Sequence, residues 1–288
     1  MQGTTVRRVG LVLAVATALT GVAACTFPDS SDRPGKDDGA AHGTSLAALR
    51  SAERATARAE SARVESTTTM GSLMSMTADG TLAWSDGITG TLTITYTGGT
   101  IADTMRRLGT TSMEARYLPD AYYARMGDTF AEQADGRHWI RYAYDDLEAL
   151  AGGSGAHLGD QMRATTPNQS VKLLLASGDV RKVGEETVRG RAVTHYSGTV
   201  AAADVPDEGL RKQLTEAGVA TETVDIWIDE RDLLVKKVEK ARMTTGRMTQ
   251  TAHYRDYGVR VRAQRPPLSD TGDFEDLMRK KAGTTGTP

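Results

Sequence analysis

Thr91-Leu92-Thr93-Ile94-Thr95-Tyr96-Thr97 alternates apolar side chains with threonine without an error. Successive side chains of an extended chain leave opposite faces, so Leu92, Ile94 and Tyr96 share one face and the threonines the other. One face meets a core and the other meets water, the pattern of an antiparallel sheet. The residues before it repeat the spacing. Leu82 and Trp84 precede Ser85-Asp86-Gly87, and Met74 and Met76 precede Asp79-Gly80, so both Asp-Gly pairs read as strand-ending turns. Leu118-Pro119-Asp120-Ala121 reads as a turn between strands at 114–117 and 122–126, with another strand at 139–142. Further strands are predicted at 180–186, 191–200, 224–229, 233–241 and 247–254.

Helices fall between these runs. Residues 46–62 are rich in Ala, Arg and Glu, with Thr44 or Ser45 as the cap, and the narrow Ala-rich face suits packing on a sheet. A second helix opens at Thr166-Pro167, with proline at its first position and Gly178 as its stop. Helical spacing recurs at 206–217, and shorter helices are expected at 145–151 and 273–281. About ten strands with four or five helices in one run predict a single α+β domain over 44–288.

Composition narrows the function. The chain has 288 residues, 39% hydrophobic and 25% charged, which is too rich for wholesale disorder. A formal net charge of −2 argues against a general nucleic-acid binder, so no nucleic-acid partner is expected. The single cysteine excludes an internal disulfide and a Cys-rich zinc cage.

That cysteine has another use. Arg7 and Arg8 form a basic start, residues 9–24 are uncharged and built of small and apolar side chains, and Val22-Ala23-Ala24-Cys25 closes the run. The stretch is shorter than the ~20 residues of a spanning helix and reads as a secretory signal over 1–24. Its ending resembles a bacterial lipobox. The resemblance implies a diacylglyceryl group on the Cys25 thiol and cleavage that leaves Cys25 as the new N-terminus. Two acyl chains hold a protein stably at a membrane where one does not. The protein is therefore expected on the extracytoplasmic face of the cell membrane, held by a lipid anchor. Residues 26–43 are polar and turn-rich and read as a flexible linker, reaching on the order of 20–25 Å.

Chemistry is hard to find. His42, His138, His157, His195 and His253 stand apart from one another, without metal-ligand spacing, and neither a G-x-S-x-G elbow nor a phosphate loop occurs. Asp145-Asp146 and Glu185-Glu186 are adjacent, which in extended chain sends the carboxylates to opposite faces. No catalytic residue, metal or cofactor is expected. One charge asymmetry stands out: residues 231–288 carry 13 Lys and Arg against 7 Asp and Glu. Arg255, Arg260, Arg262 and Arg265 would suit a surface facing anionic headgroups.

The strand–glycine turn–strand run over 183–200, the second pair Asp225-Ile226-Trp227-Ile228-Asp229 and Leu233-Leu234-Val235-Lys236-Lys237-Val238, the lipobox and the first helix together resemble actinobacterial lipoproteins of the LppX/LprG type. That group is similar in fold to the LolA/LolB carriers and the RseB sensor domain. The resemblance implies a strongly curved antiparallel half-barrel with helices covering its concave face, and a hollow that holds a lipid or other hydrophobic ligand. The chain departs from the pattern in a Gly-rich insertion over 151–159 and in its Thr-rich early strands. Candidate wall residues are Met74, Met76, Leu82, Trp84, Leu92, Ile94, Tyr96, Tyr123, Ile226 and Ile228. A dry core would use the same residues. The resemblance also implies a partner: a membrane transporter in a carrier, or a membrane signalling protein in an RseB-like sensor.

Overall fold

The computed structural model describes residues 37–145, 166–243 and 246–284. Among them, twelve strands form one open sheet. They are β1 (Ser61–Met70), β2 (Met74–Ala83), β3 (Thr89–Gly98), β4 (Ser112–Tyr117), β5 (Ala121–Arg125), β6 (Trp139–Ala143), β7 (Arg181–Val188), β8 (Arg191–Ala201), β9 (Thr221–Asp229), β10 (Leu234–Met243), β11 (Gly246–Arg255) and β12 (Thr271–Asp273). The spatial order is β12-β6-β5-β4-β3-β2-β1-β11-β10-β9-β8-β7. Every neighbouring pair is antiparallel except β12 with β6. The chain thus lays down one half-sheet, crosses to the far edge at β7, and returns strand by strand until β11 pairs with β1.

The alternation in β3 sets the faces. Leu92 and Ile94 are buried, and the registers carry that face across Gly80 and Ala78 of β2 to Val64 of β1 and Tyr254 of β11. This inner face and the helices share one apolar cluster, which includes Leu49, Val171 and Leu174 at 0% exposure. The helices are α1 (Asp37–Arg58), α2 (Gly99–Arg107), α3 (Asp128–Ala131), α4 (Pro167–Leu175), α5 (Glu208–Glu216) and α6 (Phe274–Thr284). Helix α4 lies on β8, β9 and β10, α1 packs chiefly on α4, and α6 lies against β6 and β12.

The curved, unclosed α+β sheet agrees with the sequence expectation, but several details differ. Asp79-Gly80 is not a turn: it lies inside β2, opposite Thr93 and Leu92. Gly80 is needed there because a Cβ would sit 2.1 Å from the Thr91 carbonyl oxygen. Gly90 stands in the same relation to Thr81, also at 2.1 Å, so the two glycines let β2 and β3 coil tightly against each other. Gly198 likewise lets β8 approach α4, where an added Cβ would meet Leu174 Cδ1 at 2.8 Å.

Helix α1 is already formed at Asp37, so Thr44 and Ser45 are interior and do not cap it. Ser45 instead donates to the Ala41 carbonyl at 3.0 Å, and His42 Nδ1 lies 3.1 Å from the Val180 carbonyl, tying residues read as linker to the start of β7. The helix ends at Arg58, four residues before the expected stop, and packs more on α4 than on the sheet. Helix α2 lies between the strands expected at 91–97 and 114–117, where no helix was expected. The helix expected at 145–151, the insertion at 151–159 and the leader with Cys25 lie outside the described residues apart from Asp145.

After β11 an extended strap, residues 258–267, runs along the outer face. Ser61 donates to the Val259 carbonyl at 2.7 Å, Arg116 donates to the Gln264 carbonyl at 2.9 Å, and Ala263 packs against Leu118, Ala121, Tyr123 and Trp139. The strap delivers β12 to the sheet edge, where Asp270 accepts the His138 backbone N–H at 2.8 Å.

Candidate functional site

The inner face is apolar except where β9 and β10 pass under α4. A β-bulge between Leu234 and Lys236 shifts the alternation of β10, so Leu234 and Lys237 both point inward while Val238 packs on the outer face. Glu239 follows on the inner side. Lys237 Nζ donates to Glu239 Oε2 at 2.8 Å and to Ser170 Oγ of α4 at 2.9 Å. Register then sets Ala241 opposite Glu222 of β9, bringing a second carboxyl to the group. All four side chains are buried: Ser170 2%, Glu222 4%, Lys237 6% and Glu239 8% exposed.

Burial disfavours charge, and each group answers differently. Burial alone would push the Lys237 ammonium toward neutrality, but Glu239, Tyr254 and Glu222 together hold it above its ordinary value. Glu222 is pushed up to about 8, first by burial and then by the negative charge of Glu239, with Lys237 opposing. Lys237 and Glu239 form the ion pair of the site, and Glu222 is the carboxyl that burial and the Glu239 charge hold toward its neutral form.

These groups floor a cavity of about 200 Å³ between α4, α5 and the inner ends of β1, β9, β10 and β11. Thr68, Thr166, Gln169 and Gln250 are the other polar side chains of the lining beside Ser170. Above this floor stand the half-buried side chains Leu210 and Leu214 of α5 with Met70, Met243 and Met248. Thioether side chains adapt to variable shapes, so the upper wall is soft and apolar over a fixed polar base. None of these ionisable groups is among the wall residues expected from the sequence.

The expected wall residues lie elsewhere. Leu82, Trp84, Leu92, Ile94, Ile226 and Ile228 are buried in the main apolar cluster, with Met76 and Tyr96 packed against it, and Met74 is half-buried at the start of β2. Trp84 donates its indole N–H toward the Thr56 and Ala57 carbonyls, both at 3.3 Å, and clamps the end of α1. Tyr123 faces the opposite side, under the strap, in the cluster with Trp139. Of the arginines, Arg255 bonds Glu65 at 3.1 Å and Arg265 bonds Asp120 at 2.9 Å, while Arg260 and Arg262 are exposed along the strap.

His195 is not isolated, contrary to the sequence expectation. Its ring nitrogens lie 2.9 Å from Glu186 Oε1 and 3.0 Å from Asp225 Oδ1, and it stacks on Trp227 with ring centroids 4.1 Å apart. Both nitrogens are engaged, so this outer-face group ties β7, β8 and β9 together. Among the described residues, no group of three His, Cys, Asp or Glu side chains is placed to hold a metal ion, and no helix is long and apolar enough to cross a membrane.

A curved, unclosed antiparallel sheet with helices on one face and an amphipathic pocket beneath them defines an α+β half-barrel. Sequence comparison then places the chain. SCO4650 of Streptomyces coelicolor, whose name proposes a lipoprotein, is 58% identical over 296 residues, covering 96% of this chain and 98% of its own length. The chain belongs to the family of that protein. A 31.2 kDa protein of Streptomyces griseus is 49% identical over 252 residues, 84% of this chain and 83% of its own. The lipoprotein LppX of Mycobacterium tuberculosis is 15% identical, with a TM-score of 0.49 over 77% of this chain and 99% of its own. No protein-family model matches the chain.

Proposed function

We propose that this protein is a non-enzymatic lipoprotein, tethered through Cys25 to the outer side of the cell membrane, that binds a hydrophobic or lipid-like ligand in the pocket under α4 and α5. The carrying observation is the pocket itself: Leu210, Leu214, Met70, Met243 and Met248 form an apolar wall over a polar floor, the division of surface that an amphiphile needs. The lipobox at 22–25 supports the tether, and the name of the Streptomyces coelicolor relative agrees with it. The exposed Arg260 and Arg262 are the groups we assign to the membrane-facing side, where each basic residue near an anionic surface is worth about 1 kcal/mol. The transporter or signalling protein to which a bound ligand would be passed or reported is part of the same proposal.

Titration with the neutral dye Nile red tests the pocket. Saturable binding near one dye per chain is expected, and Leu214→Trp, which fills the upper wall, removes it without lowering Tm. Binding that is unsaturable, or equal in the variant, would overturn the assignment.

A further inference from the structure

The polar floor has one carboxyl in excess. Of the side chains that line the pocket, three ionise: Lys237, Glu239 and Glu222. The residues contributed by α4, α5, β1 and β11 carry no charge. Lys237 is committed, with Glu239 at 2.8 Å and Ser170 at 2.9 Å. Glu222 is 4% exposed, lines the cavity, and has no hydrogen-bond or ion-pair partner among the described residues.

Charge balance selects what can sit beside it. An anionic headgroup would leave the buried site with a net charge of −1, because Glu239 already neutralises Lys237. A primary ammonium gives zero: Glu222 ionises and pairs with the ligand while Lys237 and Glu239 stay paired. Buried charge is tolerated only when it is paired and hydrogen-bonded, so an ammonium is favoured over an anion, and it is favoured over an uncharged head because it alone gives the unpartnered Glu222 carboxyl an opposite charge. The cavity is small, about 200 Å³, with the ionisable groups at its base and apolar side chains above them, which orients a ligand with its head inward and its chain among Leu210, Leu214 and the methionines.

We infer that the pocket binds a single-chain cationic amphiphile, a primary amine carrying an apolar chain, with Glu222 as the group that receives its ammonium. The inference rests on the hydrophobic-ligand reading of the same pocket and adds the head chemistry. Binding breaks the Glu222 O–H bond: the proton leaves to the buffer, the carboxylate stays, and the ammonium keeps all its hydrogens. Burial and the Glu239 charge hold Glu222 toward its protonated form, so the release is read at neutral pH.

Isothermal titration of the full chain, carrying Cys25→Ser to keep it off the membrane, compares octylamine, octan-1-ol and octanoate at pH 7. Octylamine is expected to bind at least about tenfold more tightly than octanoate, a difference of ~1.4 kcal/mol. Repeating the octylamine titration in buffers of different ionisation heat reports close to one proton released per site, and octan-1-ol reports none. Glu222→Gln abolishes the release and weakens octylamine about tenfold, more than it weakens octan-1-ol, and a cooperative urea transition shows that the variant is folded. Octanoate binding more tightly than octylamine, or octylamine binding unaffected by Glu222→Gln, overturns the inference and leaves the hydrophobic pocket standing. Failure of all three probes to bind overturns both.

Discussion

Lys237 Nζ lies 2.8 Å from Glu239 Oε2 on the inner face of β10, a paired charge held inside an apolar cluster. The attraction is strong because water is scarce, and so is the cost of losing one partner. Lys237→Met leaves Glu239 buried without its cation and is expected to cost about 3–5 kcal/mol in urea unfolding. The double variant Lys237→Met/Glu239→Gln restores most of that loss. An unchanged unfolding midpoint in the single variant would contradict the buried pair.

Glu222 makes stability depend on pH. Its folded value, about 8, lies above the ordinary 4.5, so the folded state binds more protons between those values than the unfolded state does. This contribution is fully present below pH 4.5 and is lost as pH rises through about 8. At ~1.4 kcal/mol per unit the full effect is on the order of a few kcal/mol. The difference in unfolding free energy between wild type and Glu222→Gln, followed from pH 5 to pH 9, isolates it: the wild type loses ground as pH rises and the variant does not.

Gly80 is a steric requirement. Placing a methyl 2.1 Å from the Thr91 carbonyl forces β2 and β3 apart, so Gly80→Ala is expected to destabilise by about 1–3 kcal/mol or more in thermal unfolding. Gly87→Ala, where a Cβ meets nothing within 4 Å but φ is +82°, is expected to cost about 1 kcal/mol from backbone strain alone.

Much of the sheet was legible because its strands alternate. Thr91 to Thr97 fixed which face of β3 is buried, and the Pro167 start and Gly178 stop bracket α4 closely. The misreadings share a cause. Asp79-Gly80 is a good turn dipeptide, but Gly80 is present for a close approach to β3 that local sequence does not encode. The polar floor was illegible for a similar reason. Lys236-Lys237-Val238-Glu239 has charges on both faces, and only the bulge after Leu234 decides that Lys237 and Glu239 go inward. Glu222 joins them through β9–β10 register, a property of pairing. His195, Glu186 and Asp225 meet in the same way. A trace of α2 was present in Ile101 and Met105, one helical turn apart, in a stretch to which no element was assigned.

The tether proposed at Cys25 predicts that Cys25→Ser abolishes palmitate incorporation and moves the protein from the detergent phase to the aqueous phase on Triton X-114 partitioning. Retention in the detergent phase with no label would mean that something other than an acylated cysteine holds it.

Mass spectrometry of apolar molecules extracted from the full chain, purified from its native cells, tests ligand binding most directly. One class of single-chain amphiphile at up to one molecule per protein is expected with the wild type, and none with Leu214→Trp of equal Tm. The same heterogeneous lipids at the same level in both, or no bound molecule in either, would contradict a ligand pocket under α4 and α5.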